Sequence, residues 1–209
     1  QNTNTMIVAA DGGGVSLNSI INESFNGTGI PSGWSSFAWT GGNSTISGGS
    51  VTVSGARFNT VAPTQTFGPV SVMEFVATFG AAPYQHIGFG GGNDATDSNG
   101  MYTGQNAWAM FSTGNQSSVL RARTSLNGTT SVDVDMPTGL LGSSHLYRIE
   151  WNTNDIKYYV DGTLIHTESA TISETMRPGI SDYNNDGTVI SVDWMKVSPY
   201  VSSGSFVSR

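Results

Sequence analysis

The stretch that decides the fold is His145-Leu146-Tyr147-Arg148-Ile149-Glu150-Trp151, followed three residues later by Asp155-Ile156-Lys157-Tyr158-Tyr159-Val160-Asp161-Gly162. Tyr147, Ile149 and Trp151 alternate with Arg148 and Glu150, and Ile156, Tyr158 and Val160 alternate with Lys157 and Tyr159. Successive side chains of a strand point to opposite faces, so each run has one apolar face and one polar face. Asp161-Gly162 then leads into a third run over residues 163–168. Asp-Gly between two such runs predicts a tight hairpin, because both central residues of that turn need positive φ.

The same rhythm extends outward. Further strand-like runs lie at 45–54, 70–79, 85–90, 106–113, 118–125, 131–135 and 188–198. Gly- and Asn-rich punctuation returns roughly every 8 to 15 residues, the spacing of a sandwich or barrel. No stretch has a helical period. The expected fold class is all-β: a two-sheet antiparallel jelly-roll sandwich over residues 21–200. Residues 1–20 read as an N-terminal arm or linker, and 201–209 as the start of a C-terminal linker.

Composition narrows the function classes. The chain has 209 residues, 27 Gly and no Cys, and only 11 % of its residues are charged, against about 25 % in ordinary domains. Ser, Thr, Asn and Gly carry the polarity instead, which suits an extracellular or cell-surface protein. The formal net charge is -7, with eight basic residues. Nucleic-acid binding needs a basic stripe and is not expected. No apolar run reaches the roughly 18 residues of a spanning helix, so membrane insertion is not expected either. Without Cys there are no disulfides, thiolate nucleophiles or thiolate zinc sites.

The 145–162 stretch resembles the "H-x-Y-x-I-x-W … I-x-x-Y-V-D-G" hairpin of the concanavalin A-like lectin/glucanase superfamily, which includes laminin-G-like modules and family 16 glycoside hydrolases. Glu23-Ser24-Phe25-Asn26-Gly27 with Trp34 resembles its opening strand, and Ser191-Val192-Asp193-Trp194-Met195-Lys196-Val197 its closing strand. The resemblance covers roughly residues 20–200 and implies a curved sheet whose concave face is a carbohydrate groove. Ser203 to Arg209 resemble the lead into a further domain of large bacterial surface proteins.

The resemblance to hydrolases meets an obstacle in the residues. Retaining glycosidases need two carboxylates about 5 Å apart. Family 16 enzymes place theirs on one strand as E-x-D-x-E or E-x-D-x-x-E. Here none of Glu23, Glu74, Glu150, Glu168 and Glu174 has an Asp two residues later, and the strand expected at that place reads Ala107-Trp108-Ala109-Met110-Phe111. Asp133 and Asp135 share a strand face near Pro137 and Gly139. Tyr84-Gln85-His86 and Arg121-Ala122-Arg123 echo two strands of alginate lyases, but the "Y-x-K-A-G" strand is absent.

Alternation gathers Glu74, His86, Trp108, Arg121 and Arg123 on one face, opposite Phe75, Ile87, Phe111 and Leu120. An exposed Trp stacks on a pyranose, and Arg forks bind hydroxyls or a uronate. Tyr102, in the Gly-rich loop from Gly90 to Gly104 with Asp94, Asp97 and Asn99, is a candidate second platform. The structural alternatives are a Glu74 that neutralises an arginine and a Trp108 covered by the arm. Two calcium readings compete for Asp193. The family resemblance implies a structural ion between Asp193 and the Glu23, Asn26 and Gly27 region. The spacing Asp182, Asn184, Asp186, Gly187 and Asp193 copies an EF-hand loop, with a polar turn as the alternative.

The expectation is therefore a non-catalytic extracellular carbohydrate-binding module of a larger surface protein, with polysaccharide or glycan as partner. The alternatives are a structural, adhesin or filament-forming module that self-associates through the N-terminal arm, and a polysaccharide hydrolase or lyase.

Overall fold

The computed structural model describes residues 8–9, 15–16, 19–61, 65–91, 106–128 and 130–200. In chain order the strands are β1 (Val8–Ala9), β2 (Val15–Ser16), β3 (Ile21–Glu23), β4 (Trp34–Ser47), β5 (Ser50–Thr60), β6 (Ser71–Thr78), β7 (Gln85–Gly90), β8 (Trp108–Ser112), β9 (Arg121–Ser125), β10 (Ser131–Asp135), β11 (Ser144–Trp151), β12 (Ile156–Val160), β13 (Thr163–Glu168), β14 (Arg177–Asp182) and β15 (Ile190–Pro199). No helix occurs among the described residues, and all strands pair antiparallel. Among the described residues β1 pairs with β2 alone; of the stretch expected as an arm, residues 1–20, the others described are 19 and 20.

The other strands form two layers joined through β5. Val51 to Val53 pair with β15, whereas Ala56 to Asn59 pair with β14. Gly55 lies between these stretches at φ +55°, and a Cβ there would sit 2.9 Å from Gly42 Cα. That crowding and the positive φ require glycine at the passage between layers. One layer runs β10-β9-β8-β7-β14-β5, and the other runs β13-β12-β11-β6-β15-β5, with β3 also on β15. The sandwich expected from alternation is what forms.

The layers meet through aromatic rings. Phe111 of β8 packs against Tyr147 of β11, Tyr158 of β12 and Phe75 of β6, with centroids 4.9, 5.4 and 6.1 Å apart. Trp151 lies 5.5 Å from Phe89 of β7. The Tyr158 hydroxyl crosses the core, 2.6 Å from Thr124 Oγ1, and donates to the Arg123 carbonyl at 2.9 Å. β9 is thus tied from inside the molecule while its alternate side chains face outward.

β14 is absent from the expected strands because Pro178 and Gly179 read as turn residues. Pro178 is tolerated there because β5 begins pairing only at Gly179, so the missing N–H costs no ladder bond on that side.

The Asp161-Gly162 hairpin forms as expected, with φ of 48° and 79°. Asp161 also stitches the motif together. Its Oδ1 accepts from Leu146 N at 3.0 Å, and its Oδ2 lies 2.8 Å from His145 Nδ1. These bonds hold the Asp161 carboxyl below its ordinary value of 3.8. Asp161→Ala is expected to lower the unfolding free energy by about 1 kcal/mol, the scale of one net hydrogen bond. The depressed value means that this contribution is present above about pH 4 and disappears as pH falls through the folded-state value. Urea denaturation of both proteins from pH 7 to pH 3 checks this, as a gap that closes in acid.

Candidate functional site

Directly opposed residues of paired strands share a face. Strand register therefore builds three rows across the first layer. One runs Arg57, Ser181, His86, Ser112, Arg121, Asp135. The next runs Asn59, Gly179, Gly88, Met110, Arg123, Asp133. The third runs Arg177, Gly90, Trp108, Ser125, Ser131. The opposite face carries Phe58, Ile180, Ile87, Phe111 and Ala122, which belong to the core. At Gly88 a Cβ would come 2.3 Å from the Ala109 carbonyl oxygen, so only glycine lets β8 lie this close.

The expected cluster is mostly assembled. His86, Trp108, Arg121 and Arg123 share this face and line a hollow of about 480 Å³ together with Tyr84 and Asp133. Trp108 and Met110 form an apolar pair of their own, separate from the main core. Arg123 lies over the Trp108 ring at 5.2 Å and binds Asp133 through Nε at 2.8 Å. Arg121 binds Asp135 at 2.7 Å. A larger hollow, about 550 Å³, lies over Asn152 to Lys157 on other strands and gathers none of these groups.

Two expectations need correction. Glu74 is not on this face. Its strand, β6, belongs to the other layer, where Glu74 pairs with Arg148 at 2.9 Å and Arg148 also binds Glu150 at 2.6 Å. Alternation placed Glu74 on the outward side of its strand correctly, but it does not say which layer the strand joins. Trp108 is on the expected face but only 4 % exposed, so it is no open stacking platform. Its indole Nε1 is buried and has no hydrogen-bond partner among the described residues. Tyr102, Asp94, Asp97 and Asn99 lie outside the described residues.

The electrostatics are set by burial and by the two arginines. Burial, then Arg123, pushes the His86 imidazole down to about 3, so His86 is neutral at physiological pH and bonds Ser112 Oγ through Nδ1 at 2.7 Å. Burial alone would raise Asp133, but hydrogen bonds from Arg123 and Ser131 outweigh it and hold the carboxyl below its ordinary value. Arg57, Asn59 and Arg177 also belong to this face, and all are buried. Sequence reading missed them, although Arg57 and Asn59 alternate with Ala56 and Phe58, because the glycine kink at Gly55 hides the strand's continuation.

The calcium positions offer a thin donor set. Calcium takes six to eight oxygens. Asp193 is exposed at the bulge of β15 near the opening strand, but Glu23 Oε1 already accepts from Phe25 N at 2.8 Å. In the loop, Asp182 is buried and accepts from Gln85 Nε2 at 2.9 Å, while exposed Asp186 accepts from Thr188 N at 3.0 Å. Asn184 donates its backbone N–H to Asp182 Oδ1 at 3.3 Å. These are turn bonds rather than a converging cage. No group of three or more His, Cys, Asp or Glu suited to a metal occurs among the described residues.

The sandwich is similar in fold to solved β-glucanases, the architecture that the concanavalin A-like resemblance implied. The model of glycosyl hydrolases family 16 matches residues 96–195. An endo-β-1,3-glucanase from Pyrococcus furiosus superposes with a TM-score of 0.64 at 16 % identity, covering 88 % of this chain and 95 % of that one. A laminarinase from Rhodothermus marinus gives 0.64 at 14 % identity, covering 88 % and 98 %. A LamA variant from Zobellia galactanivorans, in complex with laminaritriose and laminaritetraose, gives 0.59 at 16 % identity, covering 86 % and 98 %. Comparison with curated proteins finds no match. The family match and the glucanase neighbours overturn the non-catalytic module expected from the sequence and favour the hydrolase alternative.

Asp182 gives a measurable consequence. Burial, against hydrogen bonds from Gln85 and Asn184, raises its carboxyl from 3.8 to about 7. The folded protein thus keeps a proton that the unfolded chain releases, so this group erodes stability as pH rises from about 4 to about 7, with no further loss above that. Asp182→Asn is expected to flatten that part of the profile. Urea midpoints at half-unit steps from pH 4 to pH 8 measure it, and equal slopes in both proteins would refute the assignment.

Proposed function

We propose that this chain is a polysaccharide hydrolase working in the groove over β7 to β10, outside the cell. The match to glycosyl hydrolases family 16 carries the proposal, because residues 96–195 include β8, β9 and β10 of the groove. The neighbours named as β-1,3-glucanases support a β-glucan as the first substrate to test.

The proposed chemistry departs from the family pattern. β8 offers Trp108, Met110 and Ser112 to the groove, which is the two-residue spacing at which E-x-D-x-E would present its carboxylates. The charge therefore falls to β10. Asp133 is the carboxylate that lines the hollow, and Arg123 keeps it ionised. An ionised carboxylate suits a base or nucleophile, whereas the acid of a glycosidase needs a raised value. His86, neutral and without a spare acidic proton, does not fill the acid role. The proton donor is thus not among the described residues that line the hollow.

The test is reducing-end release from laminarin and mixed-linkage β-glucan. Asp133→Asn is expected to lower the rate about 100-fold or more, the scale of general acid–base catalysis. Its melting curve should stay close to that of the parent. No release by the parent protein on any polysaccharide would refute the hydrolase reading. Release that Asp133→Asn leaves unchanged would refute this assignment of the base.

A further inference from the structure

Three aromatic residues from separate segments meet at one end of the groove. Trp39 belongs to β4, Tyr183 follows β14, and Tyr84 precedes β7. The Tyr183 ring lies 5.1 Å from Trp39 and 6.0 Å from Tyr84, both edge to face. Tyr183 is held from two sides yet 57 % exposed, and Tyr84 is 42 % exposed. Tyr84 also lines the hollow that contains His86 and Trp108, so the aromatic rim runs into the groove.

The backbone holds this arrangement under strain. Tyr84 has φ +65°, a conformation costly for a bulky side chain. Two backbone bonds fix it: Tyr84 N donates to the Gly114 carbonyl at 2.6 Å, and Tyr183 N donates to the Tyr84 carbonyl at 3.2 Å. Despite that cost the Tyr84 ring faces water, as does the neighbouring Tyr183. Amphipathic rings with one wet face stack on the apolar faces of pyranoses. Stacking on a π-face reads no hydroxyl in particular, so it suits successive residues of a polymer.

We infer that Tyr84, Tyr183 and Trp39 form an accessory subsite that stacks pyranose residues of a polysaccharide and extends the groove from its Tyr84 end, past His86. The inference rests on the reading of the groove as a polysaccharide site, but it does not require cleavage. A short ligand confined to the hollow meets only Tyr84 of the rim, whereas a longer one also reaches Tyr183 and Trp39. The rim therefore sets chain-length preference.

The experiment is affinity electrophoresis in gels containing laminarin, mixed-linkage β-glucan or alginate, together with titration by laminari-oligosaccharides of three to six units. Tyr183→Ala is expected to weaken binding of the six-unit ligand about tenfold and to leave the three-unit ligand unchanged. Tyr183→Trp should restore the longer ligand. Tyr84→Ala provides a second variant, with the melting curve as the control for folding. Reducing ends are measured in parallel. Absent cleavage with Tyr183-dependent retention would sink the hydrolase reading and keep the subsite. Cleavage with no change in chain-length preference in either variant would sink the subsite alone. If the parent protein is retarded by none of the three polymers and binds no oligosaccharide, the subsite is overturned.

Discussion

Phe111 is the ring on which the two layers meet. It touches Phe75, Tyr147 and Tyr158, which come from three neighbouring strands of the opposite layer. Truncating a buried aromatic ring costs about 3–5 kcal/mol through lost transfer energy and the cavity left behind. The consequence for the site is geometric. With Phe111 pointing inward, Trp108, Met110 and Ser112 must point outward from the same strand, and the groove floor is fixed. Tyr158 reinforces this by bonding the Arg123 carbonyl, so the strand carrying the groove arginines is anchored from within.

On that floor the charges are organised in pairs rather than left as a cationic field. Arg121 and Arg123 each hold one aspartate of β10. The side chains of both arginines are largely buried, so these bonds constrain geometry more than isolated surface pairs would. The same Arg123 covers the Trp108 ring, suppresses the charge on His86 and keeps Asp133 ionised. Burial and this one guanidinium together set the protonation of its two titratable neighbours. The Asp133 carboxylate on β10 thus has its counter-charge built in.

The outer face of the other layer shows what the same residue types do without a groove. Glu74, Arg148, Glu150 and Tyr159 form a connected patch across β6, β11 and β12. Arg and Glu there satisfy one another on a partly exposed face, with Glu150 buried.

Much of the fold was legible in the sequence because it depends on local rules. Period-two alternation marked the inward side of β6, β7, β8 and β9, and Asp161-Gly162 fixed a hairpin whose φ values the structure reproduces. The grouping of His86, Trp108, Arg121 and Arg123 followed from that alternation as well. Alternation is silent on two matters, and there the tertiary structure decided. Which layer a strand joins depends on long-range pairing, and this sent Glu74 to Arg148 instead of to the groove. How far a groove residue is exposed depends on what packs over it, and this left Trp108 buried. Strands broken by glycine or proline, β5 beyond Gly55 and β14 at Pro178, carried no clean pattern, so Arg57, Asn59 and Arg177 stayed hidden. The rim of Trp39, Tyr84 and Tyr183 is formed by residues far apart in sequence, and only the folded sheet brings them within ring contact. Sequence thus determined the faces of individual strands, a property of neighbouring residues; the assembly of those faces into a site is a property of pairing between distant ones.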